Sequence, residues 1–236
     1  DSGDLGCVWG DSGAGPVITK VAKTRKASAG NTTGSPQHGR NAGGLLRYLY
    51  GPGKKDEHED PHLVAAWDGR EKDHEPQLFT RPDGTQYQSI SRLAGELTDP
   101  VEQALGIGMD DPHVYHLVLS NKAGADRDLT DAEWGQAAAD MLDAVGVAPK
   151  GDPNGCRWVA VRHGKSASGN DHVHVVATLA RQDGRAVNPW GDFAKLREVA
   201  QKWERDLGLT VTADADYTRR HTPTAGEREK EIRQGV

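Results

Sequence analysis

Apolar positions in this chain fall into short runs with clear periods, separated by polar and glycine-rich stretches. Val17 to Val21 is short and β-branched, which predicts a strand. Gly43 to Tyr50 is apolar at helical spacing and runs into Gly51-Pro52-Gly53, a strong helix stop. Pro61 to Trp67 predicts a strand or short buried segment, and the charged run Asp68 to Glu75 a surface loop. From Tyr87 to Leu105 the apolar residues Ile90, Leu93, Ala94, Leu97, Val101 and Leu105 recur at helical spacing around Pro100, predicting two helices or one kinked helix. Val114 to Ser120 alternates as a strand does. Thr130-Asp131-Ala132-Glu133 then opens a helix with a capping-box pattern, running to about Val145.

Two further strands, Arg157 to Arg162 and His172 to Ala180, are joined by a connection rich in Gly, Ser and Asn. Trp190 to Leu207 is helical in period, with Gly208 as its stop. Antiparallel strands with helices in separate runs make an α+β sheet protein. The divisions expected are a flexible N-terminus over 1–16, one domain over 17–209, and a polar tail or linker over 210–236. No internal repeat is present.

Composition narrows the class. A chain of 236 residues can bury a core without staples, and its two cysteines, Cys7 and Cys156, have no metal-ligand spacing. A reducing cytoplasm fits that usage, and no apolar run approaches membrane-span length, so no membrane insertion is expected. Net charge is −6, which taken alone disfavours a nucleic-acid partner. Its distribution points the other way. No acidic residue lies between Asp11 and Asp56, whereas Lys20, Lys23, Arg25, Lys26, Arg40, Arg47, Lys54 and Lys55 do.

The richest chemistry is in His163-Gly-Lys-Ser-Ala-Ser-Gly-Asn-Asp-His172-Val173-His174. Alternate side chains of a strand share a face, so His172 and His174 project side by side. A hairpin would return His163 beside them. Three neutral imidazoles can hold a divalent ion and leave positions open for a substrate oxygen. His116, on another strand, is the substitute for His163. Asp171 is either a partner that orients a ligand imidazole or a loop residue before the strand. His58 and His62 flank Glu59-Asp60, more simply a solvated acidic turn than a second metal site.

His-hydrophobe-His with a third histidine upstream resembles the HUH endonucleases, and His163 to His174 is similar to the third motif of MOB-P-type mobilisation relaxases, the actinobacterial branch in particular. The resemblance extends to Gly44-Leu45-Leu46-Arg47-Tyr48-Leu49-Tyr50-Gly51-Pro52-Gly53 and Asp60-Pro61-His62-Leu63-Val64-Ala65, and spans roughly 17–209. The gap from His163 to His172 is longer than in better known relaxases. The resemblance implies a palm-like fold, a central antiparallel sheet of about five strands with flanking helices. It also implies a metal-dependent endonuclease that nicks one strand of plasmid or conjugative-element DNA at an origin of transfer, through a 5′-phosphotyrosyl intermediate. The cofactor implied is a divalent ion, Mn or Mg first, with Zn, Ni or Co as substitutes in vitro. Accessory relaxosome and coupling proteins are the implied partners beyond single-stranded DNA.

Transesterification needs an oxygen nucleophile, and Tyr48 and Tyr50 alone among five tyrosines lie in the acid-free segment. Two residues apart on a helix they point about 200° from each other, so one at most faces a metal. The family's Tyr-Leu motif implies Tyr48. Asp68 and Asp171 are the candidate bases. The expected DNA contacts are Lys20, Lys23, Arg25, Lys26, Arg47, Lys54, Lys55, Arg162 and Lys165. Two other functions share these features: a hydrolase using metal-bound water, and a non-catalytic single-strand DNA or replication-initiator binding module.

Overall fold

The computed structural model describes the backbone of 17–21 and residues 39–51, 60–121, 123, 126–165 and 169–211. Five strands form one sheet: β1 (Val17–Val21), β2 (His62–Ala66), β5 (Val114–Asn121), β6 (Cys156–Lys165) and β7 (Asp171–Arg181). Their order is β1-β5-β7-β6-β2, and every pairing is antiparallel. The strand count and the α+β class agree with the sequence expectation. β7 is buried along almost its whole length because it lies mid-sheet with helices on both faces.

Alternation along β7 feeds two cores. Val173, Val175, Ala177 and Leu179 join Trp134, Met141 and Leu142 of α4 (Asp131–Ala144) and Leu196 and Ala200 of α5 (Asp192–Asp206). Val176 joins the opposite core, with Leu45, Leu46 and Leu49 of α1 (Ala42–Leu49) and Leu93 and Leu97 of α3 (Ser91–Gln103). The sheet is thus the middle of three layers. The capping box at α4 forms as its sequence predicts, Thr130 accepting from the Glu133 amide and the Glu133 side chain reaching back. α4 sits close on β2, since a Cβ at Gly135 would lie 2.7 Å from the Val64 carbonyl oxygen.

Two expectations are corrected, and a third is narrowed to one of its alternatives. Asp68 to Glu75 is more than a loop, for it contains α2 (Glu71–His74), whose His74 is buried between Asp68 and Glu96 and packs on Trp67. Tyr87 is not helical. It lies on β4 (Gln86–Ser89), which pairs with β3 (Gln77–Thr80) in a separate two-stranded sheet, and Phe79 sits opposite it in register. Past Ile90 the chain forms one helix, α3, that runs through Pro100. A proline there strips the Glu96 carbonyl of its helical donor, and Arg157 supplies one, Nη1 to oxygen at 2.5 Å. Cys156 is free and buried, and burial pushes its thiol up to about 12, so it is unreactive.

Candidate active site

The parity that sends Val176 toward α1 and α3 sends His172 and His174 to the same face. On β6, Val159 and Val161 belong to that core, and His163 follows them in parity. Val161 pairs with His174 and Arg162 with Val173, so continuing the register sets His163 across from His172. Beyond it the ladder slips between Arg162 and Lys165, where Gly164 takes φ +85, a conformation suited to glycine. The slip lengthens the His163 to His172 connection without moving His163 off the face.

The three imidazoles converge. His163, His172 and His174 each offer a ring nitrogen, all within 4.8 Å of one another, and all three residues are buried. The His163 ring centre is 4.3 Å from that of His172 and 4.7 Å from that of His174. Two of the rings have a second nitrogen engaged from behind. His172 Nδ1 lies 3.3 Å from the Asn170 carbonyl oxygen, and His174 Nδ1 lies 2.7 Å from His116 Nε2. Burial pushes the His116 imidazole down to about 4, so it is neutral at pH 7 and able to accept from His174 Nδ1–H. A neutral imidazole that donates from Nδ1 carries its lone pair on Nε2, so these contacts suit both rings to the tautomer a metal ligand needs. The structure therefore brings His163 into the cluster and places His116 behind it.

Asp171 lies elsewhere. One residue from His172, it faces α4, where Trp134 Nε1 donates to it at 3.2 Å and Arg162 Nη2 at 2.7 Å. Arg162 also donates to Asp131 at 2.5 Å, so its charge is answered within the protein. Lys165 is 2.9 Å from Asp128, and Arg47 is exposed on α1. Lys23, Arg25, Lys26, Lys54, Lys55 and His58 lie outside the described residues, as does the side chain of Lys20. His62 contacts the Asp60 carbonyl and Asp131.

The two candidate tyrosines differ. Tyr48 and Tyr50 are both half-buried and pack against the core on the histidine-bearing face, so the difference lies in their hydroxyl partners. Tyr50 donates its hydroxyl to Glu75 at 3.0 Å, and Glu75 also accepts from the Leu63 amide at 2.7 Å. Burial first, and then the Glu75 charge, raise the Tyr50 phenol well above the ordinary tyrosine range. Sequence reasoning missed Glu75, and it offered His116 only as a replacement for His163, not as the partner of His174. Asp68, the other candidate base, is held by Arg70 and His74.

An antiparallel sheet whose central strand aims two imidazoles at a third defines an HUH-type nuclease domain. The chain belongs to the relaxases: the family described as MobA/VirD2-like, nuclease domain, matches residues 85–209, more than half of its length. No curated protein and no solved structure matches it. Relaxases nick DNA, and the matched segment contains all three clustered histidines.

Proposed function

We propose that this chain is a MOB-P-type relaxase, nearest in its motifs to the actinobacterial branch, that nicks one strand of plasmid or conjugative-element DNA at an origin of transfer. The observation that carries this reading is the convergence of His163, His172 and His174 inside a relaxase domain. Three neutral imidazole nitrogens fit a divalent ion. Manganese suits that donor set together with a phosphate oxygen, whereas magnesium, which prefers an all-oxygen shell, is the weaker match. Bound there, the ion would supply positive charge to the scissile phosphate.

The protein's own part is positioning and attack. Asn170 and His116 fix the rings of His172 and His174. The Tyr48 oxygen forms the new bond to phosphorus as the bond to the 3′-oxygen breaks. The phenol loses its proton, the departing 3′-oxygen gains one, and the protein is left joined to a DNA 5′-phosphate. Tyr50 is the poorer nucleophile because its proton is held by burial and by Glu75. No helix of the described residues is long and apolar enough to cross a membrane. The proposed setting is cytoplasmic DNA, with relaxosome and coupling proteins as partners.

A supercoiled plasmid carrying the element's own origin of transfer should be converted to the open-circular form with manganese and not with chelator. Equal nicking in chelator would remove the metal from the reading. His116→Phe should lower manganese affinity by about 10- to 100-fold, as loss of a group that orients a ligand does. Calorimetric titration measures it, and unchanged affinity would leave His116 with no part in the metal's support.

A further inference from the structure

The β3–β4 hairpin is separate from the main sheet, and every residue of β3 is exposed, as are Gln86 and Tyr87 of β4. It nonetheless carries large apolar side chains outward: Leu78 is 60% exposed, Phe79 42% and Tyr87 41%. The two rings are arranged rather than scattered. Their centres lie 5.7 Å apart with planes 26° from parallel, and the Arg81 guanidinium carbon sits 4.5 Å from the Tyr87 ring centre. An isolated two-stranded hairpin is marginal in water, so leaving this pair uncovered forgoes burial that the ribbon needs.

The surroundings specify what would cover it. On the face that carries the two rings Gln77 and Ser89 pair as neutral neighbours, and the hairpin's one carboxylate, Asp83, accepts from the Thr85 amide in the turn. Flat apolar faces beside a cation, with no carboxylate aimed outward between them, match a ligand made of planar rings and phosphates. A duplex keeps its bases stacked on each other, so unpaired bases are the better fit. The family match begins at residue 85 and does not include β3.

We propose that the Phe79–Tyr87 face is a base-stacking platform for single-stranded DNA, with Arg81 meeting the backbone. It rests on the reading of the chain as an enzyme acting on single-stranded DNA. The test uses the full chain, a labelled single-stranded oligonucleotide containing 2-aminopurine, and the matching duplex. The variant Phe79→Thr/Tyr87→Thr keeps strand propensity while removing both rings. It should bind the single strand about 10- to 100-fold more weakly, the scale expected for one stacked base, and lose the quenching that stacking gives. Tyr87→Phe should retain both affinity and quenching. At saturating DNA the double variant should cleave at the unaltered rate, with only KM raised.

Unchanged affinity and quenching in the double variant, with its melting transition intact, would overturn the platform. So would an equal loss on the duplex, which would make the hairpin a duplex contact. Should the double variant fail to melt cooperatively, Tyr87→Thr alone, read by quenching, decides in the same way. His172→Ala separates the two readings, since it should lose cleavage and keep binding. Loss of binding in the hairpin variant beside full cleavage by His172→Ala would leave the platform standing and remove the metal site. No single-strand binding by the unaltered protein would overturn both.

Discussion

His172→Ala and His174→Ala are each expected to abolish nicking, by about 1,000-fold or more, while the protein stays folded. Each removes one of three converging nitrogens, and a metal's stabilisation of developing charge is worth several kcal/mol, about 1.4 kcal/mol per tenfold in rate. Both side chains are buried on the central strand, so each truncation leaves a small cavity. The strand's own ladder is untouched, and its valines still fill both cores. Plasmid nicking gives the first quantity and a thermal melt the second. Full activity in both variants would remove the cluster from the chemistry.

Tyr48→Phe should eliminate the covalent protein–DNA adduct, because a phenyl ring has no oxygen to bond to phosphorus. Tyr50→Phe should preserve it. What Tyr50→Phe loses is the hydrogen bond to Glu75, an expected cost of about 1–3 kcal/mol in stability. The two substitutions therefore separate in kind, one losing the adduct and the other losing melting temperature. An adduct that survives Tyr48→Phe and disappears with Tyr50→Phe would exchange the roles, with Glu75 then placed to take the proton.

Much of this arrangement is legible in the sequence. The α4 capping box, the inner strands β5, β6 and β7 and the shared face of His172 and His174 follow from local periods that tertiary packing does not override. Asp171 was equally legible and was misassigned, since the same period of two that pairs the histidines sends the residue between Asn170 and His172 to the other face. Tyr87 was misread because it lies three residues before Ile90, and so extends the spacing of α3 backwards into what is a strand. His116 needed the β5–β7 register, which sets Val118 opposite His174 and His116 on its diagonal, and no local pattern fixes that. Glu75 and His74 lie in a charged stretch whose period is uninformative. Their roles come from long-range partners, Tyr50 and Leu63 for one and Glu96 for the other.

Tyrosine transesterification at the three-histidine site leaves a covalent product. Its most direct measurement is incubation of the purified chain with single-stranded oligonucleotides spanning the origin of transfer, with manganese or magnesium, followed by a denaturing gel and peptide mapping of any shifted band. A metal-dependent protein–DNA adduct that maps to the peptide bearing Tyr48 is the expected result. Cleaved DNA with no adduct would contradict it and make the chain a hydrolase using bound water, and binding without cleavage would reduce it to a DNA-binding module.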